Sequence, residues 1–302
     1  MNNRLEIPTI ADNNMLVSLN RKKPSVSKQV DVEVRDAVRE EYGDESLTLS
    51  KHLFKQGGVR LLLRKIDRIY DWHKEHTVPY VDRGDRILPG TFYKQYAAYM
   101  LTAIQEVDTA RADVIANWAS HVQQDMAYRT QKAMDAGRGA LIKAQPVSEA
   151  EYPTAYEAES MFSVKYGVKP IPKGEHLLTC VPQWQKDQLN DEMDEIVDVV
   201  RADLIKRMLA PVQAAAAKLS IPIGEKGSIF RDTLIDNLQS ALTTASQLNI
   251  SDDPKVKQAI DEMREVVHGH IGSGDTMRNL EGKRSEAARR LADLSNTLGG
   301  LQ

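Results

Sequence analysis

Cysteine is almost absent from this chain of 302 residues, since Cys180 is the only one. A disulfide within the chain and a zinc site built from several cysteines are therefore excluded. A single cysteine is typical of proteins that stay in a reducing compartment. The N-terminal sequence MNNRLEIPTIADNN has no apolar core of the signal-peptide type. The sequence therefore predicts a cytoplasmic protein.

Long apolar runs and phosphate-binding loops are also absent. No stretch reaches the roughly 18 apolar residues that cross a bilayer, so the sequence predicts no membrane association. Residues 224–228 (GEKGS) lack the spacing of a GxxxxGK[ST] loop, and no GxSxG nucleophile motif occurs. With no cofactor motif and no nucleophile in a recognisable setting, we expect neither an enzyme nor a bound cofactor.

Two sets of residues could in principle bind a metal, and each has a simpler explanation. An acidic series on one predicted helix could hold Mg²⁺ for a nuclease, but it more simply forms a solvated face or attracts a basic partner. This series consists of Asp187, Asp191, Glu192, Asp194, Glu195, Asp198 and Asp203. The histidine pairs, His73 with His76 and His268 with His270, have no further ligands nearby in sequence. No metal site is predicted.

Aromatic residues are scarce, at 6% of the chain, but they are clustered. Residues 51–100 hold eight of the seventeen aromatic residues, and ten cations there face five anions, although the whole chain has a net charge of −3. Cations interleaved with rings suit a single-stranded nucleic acid, because cations attract phosphates and rings stack on bases. This segment therefore predicts a nucleic-acid-binding surface.

Apolar residues recur at helical spacing through most of the chain. Helices are predicted over residues 32–42, 59–76, 91–136, 148–162, 183–219, 228–248, 255–268 and 275–298. The stretch 91–136, if unbroken, would be about 70 Å long, which suggests a bundle spine, a helical hairpin or a kink. Residues 163–182 contain three prolines and short apolar segments, which favour an extended excursion or a small hairpin. The predicted fold is mostly α, a bundle of long helices with a small extended or β excursion near 163–182.

Composition and charge divide the chain into three regions. Residues 1–45 are predicted to be a flexible basic arm with a short helix. Residues 46–147 are basic and aromatic, and residues 148–302 are acidic. The last two regions could equally be one continuous domain from 46 to 302.

The candidate binding residues are cations and rings of the first two regions. Those predicted to contact phosphates are Arg60, Arg64, Lys65, Arg68, Lys74, Arg83, Arg86 and Lys94, together with Arg21, Lys22 and Lys23 of the arm.

The rings predicted to stack on bases are those of Trp72, Tyr80, Phe92 and Tyr93. Alternatives stay open for several of these residues. Arg64 could instead pair with Asp67 one turn away, Trp72 could pack under the following loop, and at least half of the aromatics could be ordinary core. The basic arm could simply increase solubility.

Several segments resemble a family of tailed-phage proteins. They are GGVR at 57–60, HTVPY at 76–80, DRGDRILPG at 82–90, FSVKYGVKPIP at 162–172 and FRDTLIDNL at 230–238. The nearest likeness is to the single-stranded-DNA-binding RNA polymerase cofactors of podoviruses that carry a giant virion RNA polymerase. The resemblance implies a largely helical fold that is not an OB-fold, cooperative coating of single strands, and recruitment of a phage-encoded RNA polymerase in the infected host cell. It transfers no binding residue.

The residues and the resemblance together predict a phage single-stranded DNA-binding protein with little sequence preference. It would act as a cofactor of transcription or replication, and its acidic C-terminal half would engage a polymerase or another copy of the chain. The alternative is a helical protein–protein interaction factor of a phage, which binds a host protein or forms part of a virion scaffold.

Overall fold

The fold is mostly helical, with a small antiparallel sheet, as the sequence predicts. The computed structural model describes residues 13–24, 27–30, 32–48, 50–80, 84–135, 137, 147–171, 182–250 and 252–301. Within these ranges no helix combines the length and apolarity that are needed to cross a membrane.

The helices follow the predicted apolar periodicity closely. They are α1 (Val32–Tyr42), α2 (Gly57–Glu75), α3 (Tyr93–Ala116), α4 (Trp118–Asp135), α5 (Ala155–Glu159), α6 (Gln183–Leu219), α7 (Asp232–Leu248), α8 (Pro254–Glu265), α9 (Gly274–Asn279) and α10 (Glu281–Gly299). Two 3-10 turns, at Gly90–Phe92 and Glu149–Glu151, and a π-helical turn at Val266–Ile271 complete the helical structure in these ranges.

The strands form a four-stranded sheet and a two-stranded ribbon. They are β1 (Asn14–Lys22), β2 (Ser27–Gln29), β3 (Ser50–His52), β4 (Val78–Pro79), β5 (Asp85–Pro89) and β6 (Ser163–Pro170). The strand order of the sheet is β4-β5-β1-β6, and β2 pairs with β3. β1 and β5 are antiparallel, in a register from Asn14 opposite Pro89 to Ser18 opposite Asp85. β6 coincides with the first half of the predicted excursion, and the part of that excursion from 172 to 181 lies outside the described residues.

Part of the predicted flexible arm is instead a strand inside the sheet. β1 has neighbours on both sides, and its Leu16 and Val17 are almost completely buried. Consecutive side chains of a strand point to opposite faces, so the burial of both Leu16 and Val17 shows that β1 is covered on both faces there, and the alternating pattern is lost. The arm prediction is therefore corrected for residues 14–22, while residues 1–12 lie outside the described part of the chain.

Three predicted helices are divided in the structure. The stretch 275–298 is separated into α9 and α10 at Leu280, whose backbone is extended. The stretch 91–136 is divided into α3 and α4 at Asn117. The break is local, because the Asn117 N–H still donates to Asp113 O and the Asn117 O still accepts from the His121 N–H, as in a continuous helix. The stretch 148–162 forms only a 3-10 turn and α5, because Pro153 cannot continue a helix. α5 begins with a capping box between Thr154 and Glu157.

Residue contacts divide the chain into two compact units, and each unit is built from separate stretches. Unit 1 contains residues up to Ser18, His73–Ala97 and Gly167 onward, whereas unit 2 contains Leu19–Trp72 and Ala98–Tyr166. These limits differ from the boundaries at 45 and 147 that composition suggests. The chain passes between the units within β1, α2, α3 and β6, so the units are not consecutive segments.

The core of unit 1 is formed around the long helix α6. α7 and α10 pack along α6, α8 contacts all three of these helices, and the π-helical turn packs against α10. The fully buried aliphatic residues of this core include Leu204, Ile205, Met208, Leu238 and Leu291. Burial of such a continuous apolar surface is the main stabilising contribution to this unit.

The core of unit 2 contains a cluster of aromatic rings. Phe54 contacts Trp118 and Tyr152, with ring centroids 5.2 Å apart in both pairs. Trp118 also packs against Phe162 at 6.5 Å and donates its indole N–H to Pro153 O at 2.8 Å. These rings come from distant parts of the sequence, and the tilted geometry is favourable for aromatic pairs.

Candidate nucleic-acid interface

The apolar face of α2 is buried, and the opposite face is exposed. Val59, Leu62, Leu63, Ile66 and Ile69 are each at most 3% exposed. This row recurs every three or four residues, which is the spacing of one face of an α-helix. The prediction of an amphipathic helix is confirmed, and the positions of its outward residues follow from it.

Three arginines form a line along the outer part of α2. Arg60, Arg64 and Arg68 are four residues apart; Arg64 and Arg68 are exposed, and Arg60 is half-buried. We call these three residues the arginine row. None of them forms an ion pair with any residue that the structure describes.

Asp67 lies one turn from Arg64 on α2 and could have paired with it, but Asp67 is bound by other cations. Arg21 Nη1 lies 2.6 Å and Lys23 Nζ lies 2.8 Å from Asp67 Oδ1. The guanidinium of Arg21 also lies 3.7 Å from the centroid of the Tyr70 ring, a cation–π contact. The pair of Arg64 with Asp67, which the sequence left open, is therefore not formed.

Lys22 is separated from the other two arm cations by the geometry of β1. Successive side chains of a strand point to opposite faces, so Lys22 points away from Arg21 and Lys23. It is exposed and lines a cavity of unit 2. The three arm cations therefore do not act as one group.

Lys65 and Trp72 connect α2 to α3. Lys65 Nζ lies 2.9 Å from Glu106 Oε2, and its hydrogen bond and charge lower the pKa of Glu106. The ring of Trp72 is stacked on that of Tyr99, with centroids 3.7 Å apart and planes at 19°. From Lys65 to Trp72 the chain advances seven residues along α2, whereas their partners, Glu106 and Tyr99, follow in the reverse order along α3. The two helices are therefore antiparallel neighbours within unit 2.

Arg86, a predicted phosphate contact, binds the C-terminal end of α2 within unit 1. Its guanidinium donates to Thr77 Oγ1 at 2.6 Å, to Thr77 O at 2.8 Å and to Lys74 O at 3.2 Å. Arg207 donates to the carbonyls of Lys74, Glu75 and Thr77 at 2.5–2.9 Å. The last carbonyls of a helix have no partner inside it and carry partial negative charge, so the two guanidinium groups cap this end.

His73 is buried next to this cap and is held neutral. It is 2% exposed, and its Nδ1 lies 2.7 Å from Tyr96 OH. Burial, with a smaller contribution from the charge of Arg86, lowers the pKa of His73 to about 4. His73 and Tyr96 therefore belong to the core and do not contribute to an exposed surface.

The remaining predicted residues of unit 1 are in mixed environments. Phe92 stacks on His76, with ring centroids 5.4 Å apart and planes at 8°, and Tyr80 packs against the unit 1 core. Tyr93 is half-buried, whereas Lys74 and Lys94 are exposed. Arg83 lies outside the described residues. The predicted set is thus divided between the two units.

A polar network that the sequence analysis missed lies in unit 2. Arg129 Nη1 binds Glu151 Oε2 at 2.7 Å and Tyr152 OH at 3.0 Å, and Tyr152 OH donates to Asp125 Oδ2 at 2.7 Å. Lys51 Nζ binds the other oxygen of Glu151 at 2.8 Å. Burial raises the pKa of Tyr152 to about 12. Glu151 is a hundred residues from Lys51, so no local sequence signal indicated that this cation is paired.

Two cavities lined by described residues are further candidate sites. One, of about 540 Å³ in unit 1, is lined by residues that include Lys74, Arg207, Asn237 and Thr244. The other, of about 290 Å³ in unit 2, contains Lys22. Across the described part of the chain, no three His, Cys, Asp or Glu side chains are grouped so that they could hold a metal ion.

The acidic series lies on α6 of unit 1. Asp191, Glu195 and Asp198 are exposed, and Asp198 pairs with Arg201. Asp203 pairs with Arg207 at 2.8 Å. The side chains of Asp187, Glu192 and Asp194 lie outside the described residues. The described members therefore form a solvated face with two local ion pairs.

Comparison of the chain with protein-family models, with curated proteins and with solved structures finds no match.

Proposed function

We propose that this protein binds single-stranded DNA through the arginine row of α2, with little sequence preference. One observation carries the proposal: Asp67 is bound by Arg21 and Lys23, so the arginine row meets solvent without a described carboxylate partner. Unpaired guanidinium groups in a line attract a chain of phosphates, since each arginine can bind two phosphate oxygens at once.

The geometry of a helix suits this task. Residues four apart on a helix are separated by about 6 Å along its axis, so the arginine row spans about 12 Å. A flexible strand can follow such a row phosphate by phosphate, whereas contacts with phosphates carry no base information. Slight sequence preference follows from this.

Trp72 continues the line one turn beyond Arg68 and is half-buried. Base stacking on an indole is worth about 1–3 kcal/mol and tolerates every base. We assign Trp72 as the stacking residue of unit 2, with Tyr99 stacked on the indole. Stacking on Trp72 would increase the affinity for single-stranded DNA beyond that of the phosphate contacts without creating a preference for particular bases.

The role as a cofactor in phage transcription or replication rests on the resemblance to phage RNA polymerase cofactors. The exposed acidic residues Asp191 and Glu195 on α6 are a surface that could attract a basic region of a polymerase or of a second copy. Cooperative coating of a strand would follow from contacts between copies. Co-purification with a phage-encoded RNA polymerase during infection tests this part separately.

A binding measurement with matched variants tests the DNA proposal. Fluorescence anisotropy of labelled single-stranded and double-stranded DNA, over a series of salt concentrations, gives affinity and its salt dependence. The slope of log K against log salt is about −0.7 per contacted phosphate for single strands. The double variant Arg64→Gln/Arg68→Gln should therefore have a slope smaller in magnitude by about 1.4.

Arg289→Gln/Arg290→Gln is the matched control, because both arginines are exposed on α10 in unit 1. It removes the same total charge and should leave the slope unchanged. Binding that does not depend on salt, or equal slopes for the two double variants, would rule out the arginine row as the contact.

One observation favours the alternative, a protein–protein interaction factor. Ile223, Ile229 and Leu280 are aliphatic side chains of unit 1 with 41%, 72% and 53% exposure. They lie near one another, because Ile223 N–H donates to Glu281 Oε2 and Arg284 donates to Ser228 O. Grouped exposed aliphatic residues are more typical of a protein contact than of a nucleic-acid contact. An oligonucleotide without a terminal phosphate binds directly only under the DNA proposal, and mass spectrometry of purified virions detects the protein only if it is a scaffold component.

A further inference from the structure

We propose that the cavity of about 290 Å³ in unit 2 is a binding site for a phosphate group. It lies in a part of the unit that the arginine row does not include, so this proposal does not depend on DNA binding through α2. Apart from Glu159 of α5, the polar residues that line it come from β1, α3, β6 and the end of α5: Asn20, Lys22, Arg111, Ser160, Ser163 and Lys165.

The two strands bring cations and neutral donors to one face. Asn20 and Lys22 alternate along β1, and Ser163 and Lys165 alternate along β6, so each pair points to one side of its strand. β1 and β6 are neighbours in the sheet. The cavity is therefore built on a regular surface, which holds these side chains at fixed spacing.

Positive charge exceeds negative charge in this cavity. Among the lining residues, Lys22, Arg111 and Lys165 face a single carboxylate, Glu159, an excess of two positive charges that Asp108 partly offsets through its long ion pair with Arg111. Neither lysine forms an ion pair with a described residue, although Glu159 lines the same cavity. A phosphate would supply the missing negative charge.

Arg111 has donors that its protein contacts use poorly. Its Nη1 lies 3.5 Å from Phe162 O and its Nη2 lies 3.6 Å from Asp108 Oδ1, which are both long distances for a guanidinium. The guanidinium of Arg111 has five N–H donors, and these two long contacts use them only weakly. Two oxygens of a phosphate fit this donor pattern better than the present contacts.

The size of the cavity limits what carries the phosphate. A volume of about 290 Å³ is at the lower end of the range for small-molecule sites. The ligand is then a small phosphorylated molecule or the terminal phosphate of a nucleic-acid strand. In either case a phosphate group occupies the cavity, and the two ligands differ only in the part of the molecule that extends out of the cavity.

The test uses the full chain and defined probes. Isothermal titration with pyrophosphate measures binding of a free phosphate compound, and competition between 5′-phosphorylated and 5′-hydroxyl oligonucleotides measures recognition of a strand end. Lys165→Gln and Arg111→Gln remove one cation each from the cavity. Lys55→Gln removes an exposed cation of unit 2 that does not line it.

We expect either that pyrophosphate binds or that the 5′-phosphorylated strand outcompetes the 5′-hydroxyl strand. Each cavity variant should weaken pyrophosphate binding, or reduce the preference for the 5′-phosphate, at least tenfold, since a charge-assisted hydrogen bond is lost. Lys55→Gln should bind like the parent. Lys165 is exposed, so its variant reports on binding even if Arg111→Gln alters folding. Failure of both probes, or binding unchanged in Lys165→Gln, overturns the proposal, and neither outcome affects the salt dependence attributed to Arg64 and Arg68.

Discussion

Arg284 is a buried cation that is stabilised by backbone carbonyls. It is 1% exposed, and its guanidinium donates to the carbonyls of Lys218, Leu219, Ile221, Ser228 and Met277 at 2.8–3.3 Å. A buried charge is tolerated only when its hydrogen-bonding capacity is satisfied. This side chain closes the end of α6 and fixes the loop that leads to α7.

Replacing Arg284 by methionine should strongly destabilise unit 1. The substitution keeps much of the apolar volume but leaves several buried carbonyls without a donor, at a cost of at least about 3 kcal/mol. Urea denaturation measures the change in free energy of unfolding. Arg290→Met, on the exposed side of the same helix, should change it by less than about 0.5 kcal/mol. Equal effects of the two variants would contradict this role for Arg284.

His73 should make the protein less stable in mild acid. The pKa of His73 is about 4 in the folded protein against an ordinary value of 6.5, so the unfolded chain binds the proton first as pH falls. The free energy of unfolding should therefore be highest above pH 6.5 and decrease from pH 6.5 to pH 4, by up to about 3 kcal/mol from this group.

The comparison with His73→Gln isolates this effect from the titration of carboxylates. Chemical denaturation between pH 7 and pH 4 should show a smaller pH dependence for this variant than for the parent. His268 is exposed, so His268→Gln should retain the full pH dependence of the parent. A His73→Gln profile parallel to that of the parent would mean that His73 takes up its proton as readily in the folded protein as in the unfolded chain.

At the scale of elements, α2 and α3 are held together by a few specific contacts. Trp72 stacks on Tyr99, and Lys65 pairs with Glu106 two turns away. Gly58 allows α2 to approach α3 and α4 closely at the other end, because a Cβ there would lie 3.5 Å from Val114 Cγ2 of α3 and 2.7 Å from His121 Cε1 of α4. The arginine row is therefore presented by a helix with a fixed position in unit 2.

Trp72→Ala and Tyr99→Ala separate packing from base stacking. Both variants lose the same ring contact, so both should reduce the free energy of unfolding by about 1–3 kcal/mol. Only Trp72→Ala should also weaken binding of single-stranded DNA, by a further 1–3 kcal/mol or roughly 5- to 150-fold. Anisotropy titrations below the melting temperature of both variants provide the measurement. Equal DNA affinities of the two variants would show that Trp72 only joins the helices.

At the scale of the whole molecule, the N-terminal strand is part of the folded structure. Val17 is completely buried in β1, whereas Asn20 is exposed on the same strand. Val17→Asp should therefore abolish the cooperative thermal transition followed by circular dichroism, since it buries an unpaired charge. Asn20→Asp introduces the same charge at an exposed position and should melt close to the parent. A Val17→Asp protein that melts like the parent would restore the expectation of a flexible arm.

Much of the helical structure could be predicted from local sequence, and the partners of charged residues could not. The limits of α1, Val32–Tyr42, match the prediction, and the buried row of α2 follows from its apolar spacing. Arg86 was predicted to contact phosphates because its neighbours in sequence are cations and rings. Its actual acceptors are carbonyls at the end of α2, which it reaches only because β5 pairs with β4.

The sequence by itself determined that the chain is mostly helical and which face of each long helix is apolar, because helical periodicity depends on residues three and four apart. Only the tertiary structure decided which cations keep their charge exposed. Lys51 and Lys65 form ion pairs with carboxylates from distant segments. Asp67 pairs with Arg21 and Lys23, so Arg64 and Arg68 have no described carboxylate partner. Net charge in a sequence window counts neighbours along the chain, whereas electrostatic neutralisation depends on neighbours in space.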